Sequence, residues 1–187
     1  MSTKKGEPRS SNEKAKALSD KVVKSRAPRR KSYTLDLRIH SPASLGYLGI
    51  DGIDTAPAMV RLAKVKGLDV IAVTDFHSGD FIDRVVAAAE GTKLTVLPGV
   101  SLRCRLAGCD DVVIICLFPE NYRSQQVNTF LREVGVPTSQ LGREDYILDT
   151  PFGAILSVIE AHQGIAIPSR MDKTPHRMNV IPVLVRE

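Results

Sequence analysis

Asp75 and His77 stand two residues apart in Thr74-Asp75-Phe76-His77-Ser78, directly after the apolar run Val70-Ile71-Ala72-Val73. A carboxylate and an imidazole at a strand end can ligate a divalent cation, work as an acid–base pair, or serve only as a helix cap and a loop histidine. Four other stretches carry comparable groups at the end of an apolar segment: Arg38-Ile39-His40-Ser41, Pro98-Gly99-Val100-Ser101, Leu117-Phe118-Pro119-Glu120, and Pro168-Ser169-Arg170-Met171-Asp172-Lys173. In parallel α/β folds the loops leaving the carboxyl ends of strands form the site, so these five stretches are expected to meet at one rim.

Weaker candidates have plainer explanations. Ser41 and Ser44 are nucleophiles only beside a base, and His40 is so far their neighbour in sequence alone. His162 sits at a predicted helix end, where it suits the negative pole of the dipole. His176 follows Pro175 at a helix start, away from the other groups. Cys104, Cys109 and Cys116 lack the paired spacing of a zinc ribbon and read as reduced thiols in or near a core. No stretch has the lysine and Ser/Thr offsets of a phosphate-binding P-loop.

The elements that position these groups follow from periodicity. Tyr33-Thr-Leu-Asp-Leu-Arg-Ile-His40 alternates as a strand; residues 55–67 have helical spacing, capped by Asp54 or Thr55 and ended by Gly67. Residues 68–75 are a short, continuously apolar strand of the kind buried on both faces. A second helix closes at Gly91, and residues 93–100 form a third strand. This βαβ series predicts an α/β core with a mostly parallel sheet. Beyond it, residues 101–120 read as a hairpin turning at Ala107–Asp111, residues 122–135 as a helix, 136–150 as an exposed connection, 151–164 as a helix and 165–172 as a last strand with its loop. Residues 175–187 begin a further helix.

Charge is divided unevenly. Of 26 Lys and Arg and 21 Asp and Glu in 187 residues, eleven cations and three anions fall in residues 1–32, so that segment carries +8 and the rest −3. With few large apolar side chains, residues 1–32 are expected to be a disordered basic tail. Such a tail can touch nucleic acid weakly through its charge, or act only as a solubilising extension; it lacks interleaved aromatics for base stacking. No apolar run approaches the roughly 18 residues of a membrane span, and no signal-like h-region opens the chain. A soluble, cytoplasmic protein without membrane contact is expected.

The motifs Asp36-Leu-Arg-Ile-His-Ser41, Gly67-Leu-Asp-Val-Ile-Ala-Val-Thr-Asp-Phe-His-Ser78, Pro98-Gly-Val-Ser101 and Ala166-Ile-Pro-Ser-Arg170 resemble, in order and spacing, those of the PHP (polymerase and histidinol phosphatase) superfamily over about residues 33–175. The resemblance implies a distorted (β/α) barrel that binds up to three divalent cations and hydrolyses phosphoesters. His40 and Asp75 match metal-binding positions of the family, and His77 lies one place after another. Arg38, Phe76, Ser101 and Arg170 stand where the family carries ligands, and its last Asp-x-His pair has no counterpart.

Residues 33–187 are therefore expected to form a PHP-like α/β barrel domain, partial at its C-terminus. Either the sequence is a piece of a longer chain, or the partial barrel has an exposed sheet edge that needs a partner. Two functions stay open. In one, the domain is a weak or inactive homologue that binds a phosphate-bearing small molecule or a protein, with Arg38, Arg170 and Lys173 as an anion pocket. In the other, it is an active phosphoesterase whose catalytic groups His40, Asp75 and His77 hold one Zn, Mn or Fe ion. The arginines have a purely structural reading too, as ion pairs with Asp36, Asp75 or Asp172.

Overall fold

The computed structural model describes residues 31–45, 54–106 and 108–171. The expected basic tail up to residue 30, Lys173, His176 and the helix expected after Pro175 lie outside them. Among the described residues the chain forms strand β1 (Leu35–Ile39), helix α1 (Ala56–Val65), β2 (Val70–Val73), α2 (Ile82–Ala89), β3 (Thr95–Leu106), β4 (Cys109–Leu117), α3 (Ser124–Glu133), α4 (Phe152–Ala161) and β5 (Ile165–Ser169). The five strands follow one another in a single sheet, β1-β2-β3-β4-β5, that curls into half a barrel.

Local chemistry accounts for the helices. The Asp54 carboxylate accepts the Ala56 N–H at 3.0 Å and pairs with Arg84 at 3.0 Å, joining the start of α1 to α2. Pro57 fits the first turn, where a missing N–H costs nothing. Ala56, Val60 and Ala63 then recur on one buried face, as Ile82, Val85 and Ala89 do on α2 and Phe152, Ile155 and Ile159 on α4. Gly91 and Gly135 have φ of +69° and +90°, the left-handed conformation that ends a helix most readily at glycine.

The sheet alternates between two apolar clusters. Ile71, Val73, Val96, Ile114 and Cys116 join the main core with the helices. Ala72, Ile115 and Leu117, with Leu37, Leu97 and Ile167, form a smaller cluster on the other face. This two-sided burial is what the continuous apolar run at residues 70–73 requires.

β1, β2 and β3 are mutually parallel, while β4 runs antiparallel to both β3 and β5. Two expectations change as a result. The third strand and the first arm of the hairpin are one twelve-residue strand, β3, continuous through Pro98-Gly99. The Pro98 carbonyl accepts the Phe118 N–H at 3.0 Å, and Gly99 is required because a Cβ would lie 2.7 Å from the Cys116 carbonyl oxygen. The exit of β4 also leaves the rim. Ile115 pairs with Ser101 and Leu117 with Gly99, so the chain travels away from Ser101, and Glu120 lines a cleft with Thr92 and Arg123 instead.

Candidate functional site

The loops after β1 and β2 are joined through Asp75, which is 1% exposed. Its Oδ1 accepts the Ser41 N–H at 2.6 Å and the Ser44 Oγ–H at 2.7 Å; its Oδ2 accepts the Ser41 Oγ–H at 2.5 Å. Three donors, two of them hydroxyls, thus satisfy a carboxylate withdrawn from water. Beyond Asp75 the chain keeps pairing with β3. Phe76 bridges to Ser101, the Ser101 N–H donates to the Asp75 carbonyl at 2.9 Å, and the Ser101 Oγ–H donates to the Thr74 carbonyl at 2.9 Å. The Ser101 side chain therefore serves the backbone.

Ser44 sits between His40 and Asp75. Its proton goes to Asp75, so its oxygen accepts the Phe76 N–H at 3.1 Å and, at 3.2 Å, the Nδ1–H of His40. A nucleophilic triad requires the order serine, imidazole, acid. Here the serine is in the middle and is fully buried, so the arrangement holds a loop and does not activate a nucleophile. The same network selects the Nδ1–H tautomer of neutral His40.

His40 stacks on Phe76 with ring centroids 4.9 Å apart and planes 12° from parallel. Burial pushes its pKa below 6.5, opposed by Asp75 and Glu144 and assisted by the Arg38 and Arg170 guanidinium groups. Both arginines therefore act on one imidazole, although 131 residues separate them in the chain. Arg38 Nε is buried without a hydrogen-bond partner among the described residues. Arg170 has φ +54°, places its guanidinium 5.7 Å from the Phe76 ring centroid, and donates to Glu144 Oε1 at 2.6 Å.

The expected neutralisation of Asp75 by a guanidinium is thus replaced by hydroxyl and amide donors, and Arg170 pairs with Glu144. Glu144 belongs to residues 136–150, which were expected to be an exposed connection. That segment instead packs against the site. Leu148 is 1% exposed and its N–H donates to the Arg103 carbonyl at 2.8 Å; the Tyr146 carbonyl accepts from His77 Nε2 at 3.1 Å; and the Glu144 carbonyl accepts from Arg103 at 2.9 Å. No periodicity marks the segment, and only its apolar residues Val136, Leu141, Tyr146, Ile147 and Leu148 hint at burial.

His77 faces this segment. It is fully buried, has φ +50°, and its ring meets Tyr146 edge-on at 5.2 Å. His40 and Asp75 therefore share a hydrogen-bonded cluster, whereas His77 is bound to the Tyr146 carbonyl. Among the described residues no three His, Cys, Asp or Glu groups gather as a metal site. The donors present fit a divalent cation poorly, since both Asp75 oxygens are taken by hydrogen-bond donors and two guanidinium groups oppose a further positive charge. Cys104, Cys109 and Cys116 are buried thiols outside any disulfide, and burial pushes the Cys104 thiol up to about 12, far from a reactive thiolate.

No family model matches the sequence. No curated protein matches it either. Solved structures do share the fold. A candidate metal-dependent phosphoesterase of Bifidobacterium adolescentis is 11% identical with a TM-score of 0.53, over 83% of this chain and 75% of its own. An amidohydrolase of Chromobacterium violaceum, determined with bound sulfate and no metal, is 14% identical with a TM-score of 0.58, over 81% of this chain and 72% of its own. At such identities the likeness establishes a common α/β fold. Among the described residues, no helix is long and apolar enough to cross a membrane.

Proposed function

We propose that residues 33–187 form a PHP-like, phosphoesterase-related domain that has exchanged metal ligands for cations of its own, and that it binds a phosphate-bearing ligand as a weak or inactive homologue. The observation that carries this reading is the setting of His40: two guanidinium groups, Arg38 and Arg170, act on a ring whose only near carboxylate at a family metal position, Asp75, is consumed by serines. Guanidinium is a fixed planar cation with a fork of donors that suits phosphate oxygens and cannot coordinate a metal. Lys173 joins this set on sequence grounds. Sulfate held without metal in a protein of the same fold is in keeping with such a site.

Isothermal titration with inorganic phosphate and with a mononucleotide tests the reading. Binding is expected in the wild type, weakened on the order of tenfold or more in Arg38→Ala, the usual effect of losing a charge-assisted hydrogen bond. Absence of heat in the wild type, or an unchanged isotherm in Arg38→Ala, overturns it.

Metal content separates it from the one-metal phosphoesterase, in which His40, Asp75 and His77 hold the ion. Protein purified without chelator is expected to carry far less than one equivalent of Zn, Mn or Fe by elemental analysis. Near-stoichiometric metal that disappears in His40→Ala would establish the enzyme instead.

A further inference from the structure

Arg170 already holds an anion. The Glu144 carboxylate receives its guanidinium N–H at 2.6 Å, both side chains are partly exposed, at 28% and 37%, and Glu144 acts electrostatically on the same His40 ring as Arg38 and Arg170. We propose that Glu144 is a built-in competitor for the anion site: its carboxylate covers Arg170 in the free protein and must swing away when a phosphate-bearing ligand enters. This rests on the phosphate-binding reading above and adds what regulates that site.

The backbone around Glu144 argues for a moving side chain on a fixed loop. Gly142, with φ +77°, accepts the Leu45 N–H through its carbonyl at 2.7 Å, and a Cβ there would collide with the Ala43 carbonyl oxygen. The Glu144 carbonyl is held by Arg103 at 2.9 Å, and Arg103 is itself fixed by two bonds to Asp111 at 2.6 and 2.7 Å. The Tyr146 carbonyl is held by His77, and Leu148 by β3. With the main chain anchored on both sides, release of the Glu144 carboxylate needs only side-chain rotation, a fast and local motion.

The device has a chemical logic. A carboxylate is a monoanion with two oxygens, so it satisfies Arg170 at rest. A phosphate group carries more charge and more acceptor oxygens and can engage Arg38 and Arg170 together. The carboxylate thus sets a threshold that weakly binding monoanions fail to pass. If the competent, uncovered state makes up about a tenth of the population, apparent affinity is reduced roughly tenfold.

The test is titration of inorganic phosphate, and of acetate as a monoanion, into wild type, Glu144→Gln and Glu144→Asp. Every substitution retains the backbone carbonyl that Arg103 uses, and circular dichroism melting checks folding. Glu144→Gln is expected to tighten phosphate about tenfold and to make acetate binding measurable. Glu144→Asp keeps the charge but is one methylene too short to reach Arg170, so it is expected to tighten phosphate to an intermediate degree. Equal phosphate affinity in wild type and Glu144→Gln overturns the competitor while leaving the anion site intact. Tightening in Glu144→Gln with none in Glu144→Asp overturns it in favour of a general charge effect. No phosphate binding in any of the three, up to 10 mM or so, overturns the anion site and the competitor together.

Discussion

Replacing Asp75 by alanine is expected to lower the unfolding free energy by about 4 kcal/mol, because it leaves three buried donors without an acceptor. The Ser41 N–H, Ser41 Oγ–H and Ser44 Oγ–H all end on this carboxylate, and both serines are buried. Each lost bond to a charged group is worth roughly 1.5 to 3 kcal/mol, and the partners can recover only part by turning to one another. Loss of anchoring would also free the loop that carries His40 from β2. Urea titration measures the effect as a fall in the midpoint, with the slope unchanged if the unfolded state is unaltered. A carboxylate kept for chemistry at a cost in stability behaves oppositely, and its removal leaves the midpoint unchanged or raises it. An Asp75→Ala protein as stable as wild type therefore refutes the anchoring role described here. Asp75→Asn is expected to fall between, since its amide oxygen keeps one acceptor while its NH₂ meets donors head-on.

The same cluster shows what the sequence could and could not convey. The strands around residues 33–40, 68–75 and 165–172 and the four α-helices among the described residues were legible, because apolar spacing, Pro57, Gly91 and Gly135 are local signals. That Arg38, His40 and Arg170 stand at strand ends was legible too, and the electrostatic action of both arginines on His40 is the part that the structure adds. The partners were not. Nothing local tells Ser41 and Ser44 to spend their protons on a carboxylate more than thirty residues away, and an Asp-x-His pair reads equally well as a ligand set. The direction of β4 was implicit in the hairpin, yet its consequence, that Glu120 departs from the rim, appears only with the register. The segment 136–150 was least legible of all. Its role rests on main-chain carbonyls at residues 142, 144 and 146, which carry no side-chain signature, and Glu144 looks like any surface glutamate until Arg170 is placed beside it.

His77 makes the strongest claim about pH. Burial is the chief reason its pKa falls to about 4; Arg103 pushes in the same direction, and the hydrogen bond to the Tyr146 carbonyl opposes both. The ring is packed by Tyr146 at 5.2 Å and Phe76 at 6.4 Å, and among the described residues no carboxylate offsets a positive charge on it. In the unfolded chain the imidazole titrates near 6.5. Between these values the unfolded state binds a proton that the folded state refuses, so stability is fully present above about pH 6.5 and declines as pH falls toward 4. The decline amounts to about 1.4 kcal/mol per pH unit at its steepest and about 3 kcal/mol in total. His40 adds to it with the same sign, because its pKa is also lowered by burial, whereas Asp111, held low by Arg103, matters only in more acid solution. Urea midpoints at pH 7.5, 6.0 and 5.0 for wild type and His77→Gln isolate the term. Glutamine cannot take up the proton and keeps an N–H near the Nε2 position for Tyr146. The variant is expected to be the less stable protein at pH 7.5 and to lose much of that disadvantage by pH 5.0. Parallel pH profiles would mean that water reaches the ring, and that the wall joining β2 to the Glu144 segment is wet.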